Sequence, residues 1–207
     1  MAKRKDLNAE IDARLTKAGI PHYSEPIYRV SASAFTKAIR KGKASIGKNG
    51  WMVDLHTKEE YKNMKTYLSR DGKAGVAITK DGDIVSVFNG GNKKGAMGSL
   101  IPFAIAHGGV KLDAYGGGLQ NMYARYGGVV TGKTPFNKEY APPGWDGSEF
   151  PVVAMYMPRT LTGVINRYNP KPNISLSSVK TFRSYDKMLA DRDRKMNGQV
   201  GLISNLG

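Results

Sequence analysis

The segment that most restricts the fold runs from residue 74 to residue 115. It opens with "AGVAITKDGDIVSVFNGG", two alternating apolar runs joined at Asp81-Gly82. Such alternation marks half-buried strands, and an Asp-Gly pair between two of them marks a tight antiparallel hairpin. The second strand leads through "NKKGAMG" into the apolar run "SLIPFAIA" and on to a further strand, "VKLDAY". The pattern predicts a helix over about 98–107. A helix between two strands is a crossover, and a crossover joins parallel neighbours. Its N-terminus points at the strand ends, where free N–H groups and the helix dipole favour an anion.

The flanking segments predict a mixed α/β chain. Leu7, Ile11 and Leu15 are spaced by four, one helical face that stops at Gly19. "PIYRV" reads as a short strand. "SASAFTKAIRKG" reads as a helix with Ser31 or Ser33 as N-cap and Gly42 as C-cap, and residues 42–50 as an exposed loop. "WMVDLH" is strand-like, and "TKEEYKNMKTYLS" reads as one helix opened by a Thr57/Glu60 capping box. Leu119, Met122, Tyr123 and Tyr126 mark one face of another helix. "VVTGKTPF" and "PVVAMYM" are closing strands around a long Pro/Gly/aromatic loop at 137–150. Beyond Arg159 the pattern weakens to a loop, a basic helix within "VKTFRSYDKMLADRDRKM" and a loosely held tail.

Composition excludes several chemistries. There is no cysteine, so disulfides, thiolate catalysis and zinc-thiolate sites are out. His22, His56 and His107 are far apart and have no metal-ligand spacing, so no metal is expected. No apolar run approaches the ~20 residues needed to span a bilayer, and the basic N-terminus has no apolar signal region after it. A soluble protein is expected, cytoplasmic in a bacterial host cell, or virion-associated if phage-encoded. Of the net charge of +15, residues 1–50 carry 11 Lys/Arg against 4 Asp/Glu, and residues 159–207 carry 9 against 3. Residues 51–158 are nearly balanced, 12 against 10. That suggests a neutral domain over 51–158, a basic N-terminal segment over 1–50 that is an extension or the first part of the fold, and a basic C-terminal extension over 159–207. Basic flanks suit a polyanion such as nucleic acid.

The crossover carries a family resemblance. The run Lys93, Lys94, Gly95, Ala96, Met97, Gly98 and Ser99 resembles the Arg/Gln-x-x-Gly-x-Gly/Ala turn of the GNAT superfamily, the acetyl-CoA-dependent N-acyltransferases. Lys93 stands where the family has Arg or Gln, Ala96 replaces the first glycine, and Gly98 keeps the second. Downstream, residues 122–128, "MYARYGG", are similar to the family's Leu-Tyr-x-x-x-Gly-Phe signature, and the 135–147 loop looks like that of bacteriophage-encoded GNAT-like domains. The resemblance covers about residues 51–158. It implies a mixed, mainly antiparallel sheet flanked by helices, an acetyl-CoA cofactor held by residues 93–99, and Tyr123 as general acid for the departing thiolate. The acceptor is an amine of unknown identity, and no glutamate stands on the hairpin strand to act as base.

Other residues bear watching. Trp51, Tyr140 and Trp145 either line an acceptor pocket or staple the long loop to the sheet. His56 is a candidate base beside a helix N-cap. The alternative function is a non-catalytic, phage-associated nucleic-acid-binding or host-interaction protein on the same fold. An enzyme requires an open cleft between the strands near 84–89 and 110–115, floored by the 93–99 turn, whereas a binding module tolerates a cleft filled by side chains, with its basic surface continuous elsewhere.

Overall fold

A computed structural model describes residues 3–204. The element order is α1 (Ala9–Lys17), β1 (Ile27–Arg29), α2 (Ala32–Ile46), α3 (Lys58–Lys62), β2 (Lys65–Ser69), β3 (Ala74–Ile78) and β4 (Ile84–Asn89). It continues with α4 (Ala96–Ala106), β5 (Lys111–Tyr115), α5 (Leu119–Ala124), β6 (Val129–Thr134), β7 (Val152–Tyr156), α6 (Leu161–Arg167) and α7 (Tyr185–Ser204). Short 3-10 turns occupy 47–52, 138–140 and 176–178.

The described residues form two antiparallel sheets. One has the order β1-β2-β3-β4 and the other β5-β7-β6. The first sheet is covered on both faces. Phe35, Ile39, Tyr61, Leu68, Ala77 and Phe88 form a core beneath α2 and α3. The opposite face packs on α4, α1 and α6 in a larger core that includes Leu15, Leu100, Ile101, Phe103 and Val164. A strand between two covered faces is buried throughout, which is why β3 reads "AGVAI" without a polar residue. α4 is buried almost all round, from Gly98 to Ile105, and lacks the polar face of a surface helix for that reason.

The sheets meet at one point. Gly82 O accepts from Val110 N at 2.8 Å and Lys111 N at 3.3 Å, and Asp83 pairs with Lys111 in a parallel bridge. Beyond that bridge β4 and β5 part. A Cβ on Gly82 would come within 2.9 Å of Val110, so a residue without one holds the join.

Several expectations from sequence are corrected. Residues 53–56 are irregular and follow a 3-10 turn, so "WMVDLH" is no strand. The "TKEEYKNMKTYLS" helix ends at Lys62, and residues 65–69 are strand β2, inserted between β1 and β3. There, tertiary pairing of Thr66 and Tyr67 overrides the helical spacing. Residues 161–167 form a helix that the weakening pattern hid. Of the two readings of residues 1–50, α1 packs as part of the fold, with Ile11 and Leu15 buried, and Met188 and Arg192 of α7 are buried as well. The expected loose tail is helical through Ser204, and residues 205–207 lie outside the described residues.

Gly42 does not cap α2, which runs on to Ile46 and ends at Gly47 with φ 76°. Gly42 instead admits the end of β4. A Cβ there would lie 2.5 Å from the fully buried Phe88 ring. Glycine to alanine within a helix ordinarily gains about 1 kcal/mol. Here overpacking outweighs that gain, and Gly42→Ala is expected to lose about 1–3 kcal/mol. Denaturant unfolding checks the sign.

Candidate functional site

The parting of β4 and β5 opens a cleft of about 1510 Å³. Its walls are the facing edges of the two strands. β4 pairs with β3 on one side and β5 with β7 on the other, so each turns its second edge to the cleft. A strand edge offers a row of unpaired N–H and C=O groups. Leu119, Met122 and Tyr123 of α5 and the segments 51–55, 134–143 and 183–186 also line it.

β4 carries a bulge where it faces the cleft. Ala77 pairs with Val85 and Gly75 with Phe88, so two steps of β3 span three of β4. Ser86 takes φ 55° within that bulge. The strain is held by a buried chain of hydrogen bonds. Ser86 Oγ donates to Asp54 O at 2.6 Å, the Tyr61 hydroxyl donates to Ser86 Oγ at 2.8 Å, and His56 N donates to the Tyr61 hydroxyl at 3.0 Å. The bulged stretch, residues 84–89, lines the cleft, and a bulge changes the direction of the groups on the strand that carries it.

The glycine turn is built for two neighbours. Lys93 is not free to meet a phosphate, because its ammonium sits between Glu25 at 2.7 Å and Asp71 at 2.8 Å with its side chain 8% exposed. The pairing holds Asp71 down to about 2 despite its partial burial, and raises Lys93 above its ordinary value. Lys94 is exposed and Ala96 buried. Gly95 and Gly98 face the chain's own segment 21–23: a Cβ on Gly98 would lie 2.3 Å from Pro21 O, and one on Gly95 3.1 Å from the carbonyl carbon of His22. Ser99 Oγ donates to Tyr23 O at 2.6 Å and accepts from Tyr23 N at 2.9 Å. Of residues 93–99, Met97 alone lines the cleft. The N-cap of α4 is Gly95, so no side chain satisfies the helix's first N–H groups.

Tyr123 does line the cleft. It is 7% exposed, and burial together with the negative Asp113 pushes its phenol up. It therefore stays protonated at neutral pH, as a proton donor must.

The aromatic candidates divide. Trp51 packs on Tyr115 with ring centres 5.0 Å apart and lines the cleft with Tyr140. Trp145 is a staple: it stacks on Phe136 at 5.0 Å and donates from Nε1 to Ser148 O at 2.8 Å. Trp51 Nε1 is sealed from solvent without a hydrogen-bond partner; Asp146 lies near it outside bonding geometry. His56 is no base. Asp54 at 2.8 Å and Glu60 at 3.2 Å raise it to about 9, mainly through the Asp54 hydrogen bond, so it is cationic at neutral pH.

Asp113 was missed from sequence. Within "VKLDAY", Leu112 points into the core and Asp113 to the opposite face, which is the cleft. That alternation was the available signal. Asp113 is exposed to the cleft, yet the protein around it raises its carboxyl above the ordinary value by desolvation, against the smaller pull of Tyr185 and Arg192.

Among the described residues, no group of three or more His, Asp and Glu side chains is placed to hold a metal ion, and no helix is long and apolar enough to cross a membrane. Comparison with protein-family models, curated proteins and solved structures gives no match.

Lys93→Met strands Glu25 and Asp71 and is expected to cost roughly 3 kcal/mol, toward the lower end for breaking a buried pair because Asp71 is half exposed. Urea unfolding measures it. His56 is raised on folding from 6.5 to about 9, so its stabilisation is full below pH 6.5 and is lost as pH rises through 9. Wild-type stability should fall across that window more steeply than that of His56→Gln.

Proposed function

We propose that the cleft transfers an acyl group from a coenzyme A thioester, acetyl-CoA in the first instance, to an amine. The observation that carries this reading is the divergence of β4 and β5 from their parallel start, with α4 bridging them, around an open cleft that Tyr123 lines. The arrangement supports membership of the GNAT fold and favours an enzyme over a filled binding module.

The chemistry asks little of the chain beyond position and hydrogen bonds. The exposed edge of β4 suits an extended amide-bearing arm, which adds to a sheet as an extra strand does. The thioester carbonyl needs donors fixed in advance, and the bulged backbone at Ser86 is held rigid for that purpose by Tyr61 and Asp54. Tyr123 supplies a proton to the leaving thiolate. The diphosphate end fits less fully. With Lys93 spent on two carboxylates, it has the uncapped N-terminus of α4 and Lys94.

The alternative is a non-catalytic nucleic-acid-associated protein, which the basic excess favours: Asp191 and Asp193, the partners of Arg194, Lys195 and Arg192, are already counted in the 9 against 3 of residues 159–207, and only Asp83 lies outside that segment.

Calorimetric titration of acetyl-CoA tests the proposal. Gly98 is a poor probe, since any side chain there strikes Pro21. Met97→Trp fills the cleft instead. Micromolar binding by wild type, lost in Met97→Trp, is expected; no binding at millimolar acetyl-CoA by folded protein sinks the reading. Tyr123→Phe should bind acetyl-CoA normally yet release thiol about 100-fold more slowly with an amine acceptor.

A further inference from the structure

α2 carries positive charge that nothing around it answers. Residues 26–53, which contain it, hold six Lys/Arg and no Asp or Glu. The other helices with more than one cation are interleaved with acids: Glu10 and Asp12 in α1, Glu59 and Glu60 in α3, and Asp186, Asp191 and Asp193 in α7. α2 opens without a carboxylate. The Ser31 hydroxyl caps it, accepting from Ala34 N at 3.2 Å.

The helix sorts its residues by face. Phe35, Ile39 and Gly42 are buried against the sheet. Lys37, Arg40 and Lys41, spaced by three and four, lie on the opposite side and are exposed, with the small residues Ala34, Ala44 and Ser45 around them. Lys48, in the turn after α2, is exposed too. The acids of α3, which packs beside α2, and of the segment leading to it are spent there. Glu59 pairs with Lys62 at 2.8 Å, Glu60 caps its own helix and meets His56, and Asp54 meets His56 at 2.8 Å. Among the described residues no carboxylate comes within ion-pair reach of Lys37, Arg40, Lys41 or Lys48. Like charges at these spacings repel, and a helix that only covers a sheet mixes its signs.

The charge continues beyond the helix. A Cβ on Gly90 would lie 2.5 Å from the Cα of Gly42, so the chain leaving β4 is pressed against α2. A Cβ on Gly91 would lie 3.1 Å from that of Lys73. Exposed Lys73 therefore stands beside the C-terminal half of α2, and the acid near it, Asp71, is held by Lys93 at 2.8 Å.

What the face lacks narrows the partner. Neither α2 nor Lys48 brings an exposed aromatic ring on which unstacked bases could lie, or a large exposed apolar side chain to enter a bilayer. Alanine and serine between the cations leave a low surface that a regular backbone can approach closely. α2 is about 22 Å long, the length of roughly six base pairs.

We infer that the outer face of α2, with Lys48 and Lys73, binds the phosphate backbone of duplex nucleic acid without reading its sequence. This places the polyanion contact on one helix rather than across both basic ends. It stands apart from the acyl-transfer reading, because α2 lines the cleft from another flank, through Lys43 and Ile46.

Fluorescence anisotropy of the full chain with a labelled DNA duplex of about 20 base pairs and arbitrary sequence tests it. Wild type should bind, with affinity falling steeply between ~50 and ~200 mM salt. Lys37→Gln, Arg40→Gln and Lys41→Gln combined should weaken binding roughly tenfold or more. The slope of log affinity against log salt should flatten by about 3, since each lost phosphate contact removes about 0.9. Glutamine is as good a helix former as lysine, so α2 persists, and circular dichroism checks it. Arg159→Gln, Arg167→Gln and Lys171→Gln combined remove the same charge from exposed positions elsewhere and should change binding little. The single-stranded form of the DNA and phosphatidylserine vesicles should both bind more weakly than the duplex. Equal losses in the two triple variants, no duplex binding at low salt, or preference for the single strand or the vesicles overturns the inference. Duplex binding lost only in the α2 variant sustains it whether or not acetyl-CoA binds, and failure of acetyl-CoA to bind sinks the acyltransferase reading alone.

Discussion

The join at Gly82 governs the molecule. Among the described residues one parallel backbone bridge joins the two antiparallel sheets, and the cleft follows from the parting of β4 and β5 beyond it. The attachment is clamped from outside. Arg192 of α7, buried to 2% exposure, donates to the Leu112 carbonyl of β5 and lies 3.7 Å from Asp83, the residue just before β4, so one guanidinium sits beside the join. Its planar fork suits that task as a lysine would not. α7 is thus a structural part of the cleft rather than an appendage. It also delivers Tyr185 and Asp186 to the cleft wall.

The glycine turn shows how one sequence pattern serves two masters. Glycines ahead of a helix allow close approach, and the sequence does not say of what. Here the approaching backbone is the chain's own segment 21–23, latched by both hydrogen bonds of Ser99 to Tyr23. The neighbouring Lys93 ties that region to the β2–β3 turn through Glu25 and Asp71. What remains for a ligand at this end is the helix terminus itself, with no side-chain cap and Met97 facing the cleft. An anion there is favoured by the dipole more than by lysine charge.

The hairpin, the crossover helix, β5 and the closing strands were legible because their signals are local: alternation, an Asp-Gly turn and apolar runs of fixed length. β2 was not, since Thr66 and Tyr67 follow a capped helical turn with no glycine or proline to mark the change, and only pairing with β1 and β3 makes them strand. Gly42 was misread because a glycine near the end of a helical pattern usually caps it, whereas here a distant phenylalanine needs the space. In the cleft, Tyr123 was placed by its helix face. Lys93 was misassigned because its charge partners lie 68 and 22 residues away in sequence. Asp113 was overlooked because a single acid in a strand is ordinary until the opposite strand is missing.

Burial acts on Tyr123 toward its neutral form, and the charge of Asp113 on the neighbouring strand acts in the same direction. For the proposed transfer that form is the useful one, a proton donor that keeps its proton until thiolate appears. The position of α5 therefore fixes the state of the phenol as well as its place: the same packing that buries Tyr123 against the core keeps it an acid at the wall of the cleft.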